Sequence, residues 1–348
     1  MAVQKEVDMQ KPLDATKKAK LETTFLKPEW VQAALVLHAD YYTQARATCN
    51  KFIFWNPITI FILVLAFGLL TIKQYDDFIA MSGNIAEFLS FATKDEVFLL
   101  RIFTVLPFFL CALGGLIIAI YFMTNVFGDI VEHLLKGKYD EDVFGFNVRK
   151  FALLNTNRDS QMLPKETELL KQGNNTLLFI YRETPIAVVT IKPLFERSND
   201  TNFYVKISGV QVRKVYARVD FHSWMIDWVL GRSRQLFQQY VKRENTEGCK
   251  IHILTDAYSF DSFYVNLLKK KSFGKISSSS NLDPFDKFYK SGKKFFGLVP
   301  SEAIFRLFNV FRETYGVTIL TKDMDQDILY QNTAVQNREG PKRRHKKE

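Results

Sequence analysis

Two apolar runs constrain this chain more than any other feature. FIFWNPITIFILVLAFGLLTI, from Phe52 to Ile72, has no charged side chain and lies between Lys51 and Lys73. LRIFTVLPFFLCALGGLIIAIYFM, from Leu100 to Met123, carries one charge, Arg101, at its edge. About 20 apolar residues in a helix rise ~30 Å, the thickness of bilayer hydrocarbon. Core helices of globular domains rarely stay uncharged for so long. The runs therefore predict transmembrane helices over 52–72 and 100–123, joined as a hairpin by a loop over 73–99.

The runs follow 51 residues rich in Lys, Asp and Glu, without the short apolar core and small-residue cleavage site of a signal peptide, so both are expected in the mature protein. Pro57, Pro107 and Gly114-Gly115 are tolerable inside spans, and the glycine pair offers a place for close helix contact. Arg101 reads either as an end residue snorkelling to the interface or as a buried functional charge. Arg46 and Lys51 precede the first span, and Lys136, Lys138, Arg149 and Lys150 follow the second. This bias predicts cytosolic termini and a lumenal loop. The formal net charge of +10 falls mostly after the second span. A basic domain of that kind is either drawn to an anionic leaflet or simply kept soluble.

Cys49, Cys111 and Cys249 form no disulfide framework and no zinc-ligand spacing, in keeping with a reducing compartment. The sequons at Asn174 and Asn199 fall in the proposed cytosolic part, where they would stay unmodified.

Along the chain, residues 1–28 read as a polar tail, within an N-terminal cytosolic segment over 1–51. From Pro28 an amphipathic helix is expected, with Trp30, Ala33, Ala34, Leu37, Tyr41 and Ala45 at helical spacing. It either lies on the membrane surface or packs on the soluble domain. Residues 124–330 are expected to form a cytosolic α/β domain. After a loop-rich stretch over 140–173, Thr176–Tyr181 and Pro185–Ile191 read as a β-hairpin. Strands over Phe203–Val215 and Lys250–Leu254 follow, with helices over Phe221–Val241 and Ser259–Lys271. The four serines from Ser277 read as a flexible loop, and two aromatic-rich elements close the domain. Residues 331–348 read as a disordered basic tail. Its Lys342, Arg343, Arg344, Lys346 and Lys347 suit a solvated tail, an anionic-lipid contact or a retrieval signal of the dilysine kind.

The order hairpin, strand, helix, strand, helix, strand over about 176–276 resembles the GNAT acetyltransferase superfamily, most closely in KIHILTDAYSFDSFYVNLLKKKSFGKI. That family cradles acetyl-CoA pyrophosphate on a glycine-rich turn at a helix start. With Met225–Trp228 placed on that helix, the turn falls on residues 217–222, and Asp220 and His222 stand where glycines are needed. An aspartate there repels pyrophosphate, so acetyl-CoA binding is not expected. Of the five histidines, His38, His133, His222, His252 and His345, none has metal-ligand spacing. His252 reads as structural, and Asp220 as an N-cap before His222. No G-x-S-x-G, P-loop or GxGxxG motif occurs, and two spans without paired ionisable residues do not make a carrier. No catalytic residue, cofactor or metal is assigned.

The polar N-terminal segment ending in FLKPEWVQAALVLHADYY, the string FIFWNPITI, the two-span hairpin and the motif-free soluble domain together resemble a fungal family of packaging chaperones. These reside in the endoplasmic reticulum and serve the high-affinity inorganic phosphate transporter. The resemblance implies a multi-pass protein of that membrane that helps one polytopic phosphate carrier through ER exit by binding, with that carrier and vesicle coat components as its partners. An ER-anchored acyl- or N-acetyltransferase of the GNAT type is the alternative. A membrane-shaping or tethering hairpin is a third reading.

Overall fold

The computed structural model describes residues 19–94, 96–154, 164–241, 248–285, 294–295 and 299–320. The helices are α1 (Val31–Phe54), α2 (Pro57–Gln74), α3 (Asp76–Met81), α4 (Ile85–Lys94), α5 (Glu96–Met123), α6 (Asn125–Leu135), α7 (Asp140–Phe144), α8 (Val148–Ala152), α9 (Pro164–Gly173), α10 (Phe221–Tyr240), α11 (Ser262–Lys270) and α12 (Ser301–Leu307). The strands are β1 (Leu21–Phe25), β2 (Thr176–Tyr181), β3 (Thr184–Pro193), β4 (Asn202–Val212), β5 (Lys250–Tyr258), β6 (Gly274–Ser279), β7 (Lys294–Phe295), β8 (Val299–Pro300) and β9 (Arg312–Leu320). They divide into two units: the described residues of 1–45, 127–289 and 311–348, and those of 46–126 and 290–310.

The first unit is built on a mixed seven-stranded sheet of order β1-β2-β3-β4-β5-β9-β6. Among the described strands only β4 and β5 pair in parallel, and the chain between them supplies α10, the crossover that parallel pairing requires. Strand β3 reads as a nearly continuous apolar run because both its faces are covered, whereas β4 and β5 largely alternate between buried and half-buried residues. On one face, Phe203, Val205, Ile207, Ile251 and Ile253 meet Met225, Ile226, Val229 and Phe237 of α10 and Val265 and Leu268 of α11. On the other lies α1. His38 bonds Thr190 Oγ1 at 2.9 Å, and Gln211 Nε2 donates to Asp40 Oδ2 at 3.0 Å. The ring of Phe144, in α7, sits edge-on to His38 at 5.4 Å.

Of the two places open to α1, the structure therefore gives packing on the sheet. Ala33, Ala34 and Leu37 are fully buried, and Trp30 and Ala45 nearly so. Part of the expected polar tail is ordered structure, since Leu21–Phe25 pairs antiparallel with β2 and lengthens the sheet by one strand. The serine run is also a strand. Ser277, Ser278 and Ser279 lie opposite Thr314, Glu313 and Arg312 of β9, because an edge strand needs only its backbone ladder and tolerates small polar side chains. The stretch expected to be loop-rich holds the short helices α7, α8 and α9. The hairpin turn is Arg182-Glu183, with φ of 51° and 59°. Positive φ at both central residues gives the tight turn whose twist matches its strands.

The second unit holds two helices long and apolar enough to cross a membrane, α2 and α5. The first apolar run is not one helix. Asn56 Oδ1 accepts from Ile58 N–H at 3.0 Å and Pro57 takes the first helical position, so α1 ends at Phe54 and a new helix starts at Pro57. Residues 73–99 are also more ordered than a loop, forming α3 and α4 between the long helices.

Candidate functional site

Open α/β sheets present their crevice at the carboxyl ends of parallel strands. Here that place lies beyond β4 and β5, which pair from Asn202↔Lys250 to Ile207↔Thr255 and then part. The fork is filled from several elements. Tyr41 and Tyr42 enter from α1, Tyr258 from β5 and Tyr264 from α11, and Phe285 joins them in the lining. Tyr41 lies parallel to Tyr258 at 6.3 Å, and Tyr42 is edge-on to Phe285 at 6.1 Å. Burial raises the phenol pKa of Tyr41, Tyr42 and Tyr258 well above the ordinary value, so all three stay protonated. Tyr258 donates to Leu282 O at 2.8 Å, and Tyr264 shares a 3.1 Å bond with Thr255.

A charged group sits at the same place. Asp256 bonds Lys206 at 2.8 Å and Thr314 at 2.8 Å, with Arg312 at 3.4 Å. Burial pushes its carboxyl up, but Lys206, Arg312 and the hydrogen bonds outweigh it and hold the group below the usual carboxylate range. Ser208 Oγ is buried without a hydrogen-bond partner beside the remaining space. That space is about 30 Å³. It suits a water or two and is far below the few hundred Å³ that small-molecule sites occupy. Among the described residues, side chains from four elements thus fill the fork and bridge the two strand ends.

The turn at 217–222 offers little more. Asp220 does occupy the position before α10, but its side chain makes no capping bond. The Phe221 N–H is already bonded to Val219 O at 2.7 Å. His222 lies edge-on to Phe263 at 5.2 Å, its Nδ1 is buried without a partner, and burial lowers its pKa to about 4 despite Asp220 nearby. His252 stacks on Tyr204 at 4.6 Å and bonds Thr318 and Asn202, the role expected of a strand residue. Asp220, His222 and His252 do not line the fork. Among the described residues no three of His, Cys, Asp and Glu converge as a metal site. Lys342, Arg343, Arg344, Lys346 and Lys347 lie outside the described residues.

The second unit presents the other candidate surface. Along α2, Phe61, Val64, Leu65 and Leu69 are at least half exposed, as are Phe103, Phe108 and Leu110 along α5. A core helix of a soluble domain would bury such residues. An arginine meets the carboxyl end of each of these helices. Arg101 donates to Gln74 O at 2.7 Å and to Asp77 at 3.0 Å, at the carboxyl end of α2. Arg46 donates to Tyr121 O at 3.0 Å, near the carboxyl end of α5. Cations at these ends meet unsatisfied carbonyls and the negative pole of each helix. Arg101, in the second turn of α5, thus pairs with the carboxyl end of α2. Phe67 and Phe109 meet edge-on at 5.2 Å between the helices. Gly114 and Gly115 do not serve that packing, since a Cβ on either would meet nothing within 4 Å.

The family model described as inorganic phosphate transporter chaperone Pho86 matches residues 3–319. The chain belongs to this family. Membership in the Pho86 family spans both units, the long apolar helices as well as the sheet. No curated protein matches the chain. Solved structures similar to it include Naa50 of Arabidopsis thaliana in complex with a bisubstrate analogue. That chain is 12% identical over 52% of this chain and 92% of its own, at a TM-score of 0.29. Ard1 of Thermoplasma volcanium is 10% identical over 47% and 85%, at 0.28. A GNAT acetyltransferase of Streptococcus pneumoniae is 14% identical over 48% and 78%, at 0.29. Similarity at that level carries neither chemistry nor ligand to this chain.

Proposed function

We propose that this Pho86-family protein is an integral chaperone of the endoplasmic reticulum membrane that acts by binding, so that a polytopic inorganic phosphate transporter leaves that membrane. The observation that carries the reading is the family match over residues 3–319, whose description names a phosphate transporter chaperone. The exposed faces of α2 and α5 support a two-span hairpin, and a chaperone of a membrane protein needs such a surface to meet client helices within the bilayer. In this reading both termini face the cytosol, as the placement of Arg46, Lys51, Lys136 and Lys138 suggests. Vesicle coat components, and retrieval through Lys346 and Arg344, belong to the same proposal.

The sheet unit keeps the GNAT-like order of hairpin, strand, helix, strand and helix but works as a binding platform. The tyrosine-filled fork and the Asp220–His222 turn favour this over an anchored acyltransferase. Site-directed photocrosslinking from α2 and α5 in native membranes, combined with calorimetry of the full-length protein against acetyl-CoA, tests it. The phosphate transporter is the expected crosslinked product, with no heat of acetyl-CoA binding. Micromolar acetyl-CoA binding without a transporter adduct would favour the enzyme.

A further inference from the structure

Helices α3 and α4 carry a surface that the chaperone reading does not use. A reciprocal cap starts α4: Asn84 Oδ1 accepts from Glu87 N–H at 2.9 Å, and Glu87 Oε2 accepts from Gly83 N–H at 2.8 Å. From there the helix is two-sided. Phe88 packs on Tyr75 and Phe98, and Phe91 on Phe78, in an aromatic cluster that fastens the cap to the ends of α2 and α5. Tyr75 donates to Phe98 O at 3.0 Å, and Arg101 lies over Phe78 at 4.8 Å while holding Gln74 and Asp77. The cap is therefore fixed rather than a free loop.

Ile85 and Leu89 flank Phe88 on one side of α4, and Glu87 and Ser90 project from the other. Ile85 is 80% exposed, Met81 65% and Leu89 60%. Residues of this kind standing together in water are unfavourable and mark an interaction surface. Their surroundings say which kind. An open apolar groove of about 550 Å³ is lined by Phe67, Gly68 and Ile72 of α2, Ile79 of α3 and Ile85 and Phe88 of α4. It joins the cap to the exposed face of the long helix without a charged residue in its lining. The apolar belt of α2 thus continues onto α3 and α4, whose charged residues are Asp76, Asp77, Glu87 and, at the carboxyl end of α4, Lys94. An amphipathic helix so arranged lies in the plane of the membrane–water boundary, apolar side inward.

We propose that α3 and α4 form an interfacial collar, with Met81, Ile85 and Leu89 seated in lipid at one rim of the hairpin and not standing in the aqueous lumen. The proposal rests on the hairpin reading, and its test separates the two. Single nitroxide labels on a cysteine-free full-length protein in phosphatidylcholine bilayers report accessibility to oxygen, which concentrates in lipid, and to a nickel chelate, which stays in water. Labels at Phe61 and Phe103 test the spans; labels at Met81, Ile85 and Leu89 test the collar, with Glu87 and Ser90 as the opposite side. The expected oxygen-to-nickel ratios at 81, 85 and 89 approach those of the spans and exceed those at 87 and 90. Span-like ratios at 61 and 103 with water-like ratios at 81, 85 and 89 would overturn the collar and leave the hairpin standing. Exclusion of both reagents at 81, 85 and 89 would overturn it in favour of a protein cover. Water-like ratios at 61 and 103 would remove both readings.

Discussion

Gly209 shows how a single residue fixes the placement of an element. A Cβ there would lie 2.4 Å from Nδ1 of His38, a buried ring already committed to Thr190, so the strand must carry glycine for α1 to approach. Gly209→Ala is expected to destabilise the protein by about 1–3 kcal/mol, the usual cost of overpacking, read as a lowered urea midpoint. His38 has a pH signature of its own. Burial lowers its pKa to about 3, and burial lowers that of His222 to about 4, against about 6.5 in the unfolded chain. Because both folded-state values are depressed, their stabilisation is present above about pH 6.5 and is lost as pH falls toward those values. Urea titrations of the detergent-solubilised protein should therefore show uptake of about two protons on unfolding near pH 5.5, from these two groups. A flat stability between pH 7.5 and 5 would contradict the buried, neutral state of both rings. None of this is legible in the sequence: His38 lies on a helical face there, and Gly209 is simply one glycine inside a strand. Asp220 and His222, read from the sequence as misfits for a phosphate cradle, do stand at the start of α10, but the unbonded Nδ1 of His222 and the missing Asp220 cap are tertiary facts.

At the scale of elements, periodicity identified much of the fold and misplaced what periodicity does not encode. The hairpin β2–β3, the helix α10 and the start of β5 stand within a few residues of their expected bounds, because each combines a strong pattern with local punctuation. The serine strand β6 and the N-terminal β1 do not announce themselves. Both are edge strands held by backbone pairing to a neighbour far along the chain. The helices within 73–99 were hidden by their shortness and by the two apolar runs beside them. For α1 the periodicity is plain in the sequence but its partner is not, since a membrane surface and a sheet accept the same apolar stripe. The structure gives Leu37 no exposure at all, so Leu37→Ala is expected to cost about 2–5 kcal/mol in thermal or urea unfolding of the whole protein. A helix resting only on lipid would leave that stability nearly unchanged. At the hairpin turn, Glu183→Gly removes a non-glycine residue from φ 59° and should stabilise by about 0.5–1 kcal/mol, after the entropy cost of glycine is subtracted.

At the scale of the molecule, the two units present different surfaces, and in the proposed reading both serve one task. The sheet unit closes its own strand fork with tyrosines and leaves about 30 Å³ there. The other unit exposes apolar side chains along two helices, and in the proposed reading these meet a client in the bilayer. Topology follows from the same account: in sealed microsomes, protease should remove a C-terminal tag, while Asn174 and Asn199 carry no glycan. A glycan at Asn199 would place the sheet unit in the lumen and reverse the proposed orientation. The measurement that bears most directly on the central claim is the surface fraction of a tagged inorganic phosphate transporter in cells lacking this protein, beside an unrelated polytopic cargo. The account predicts that the phosphate transporter is retained in the endoplasmic reticulum while the other cargo reaches the surface at its normal level, with delivery restored by the full-length chain. Normal surface delivery of the phosphate transporter in those cells would contradict it.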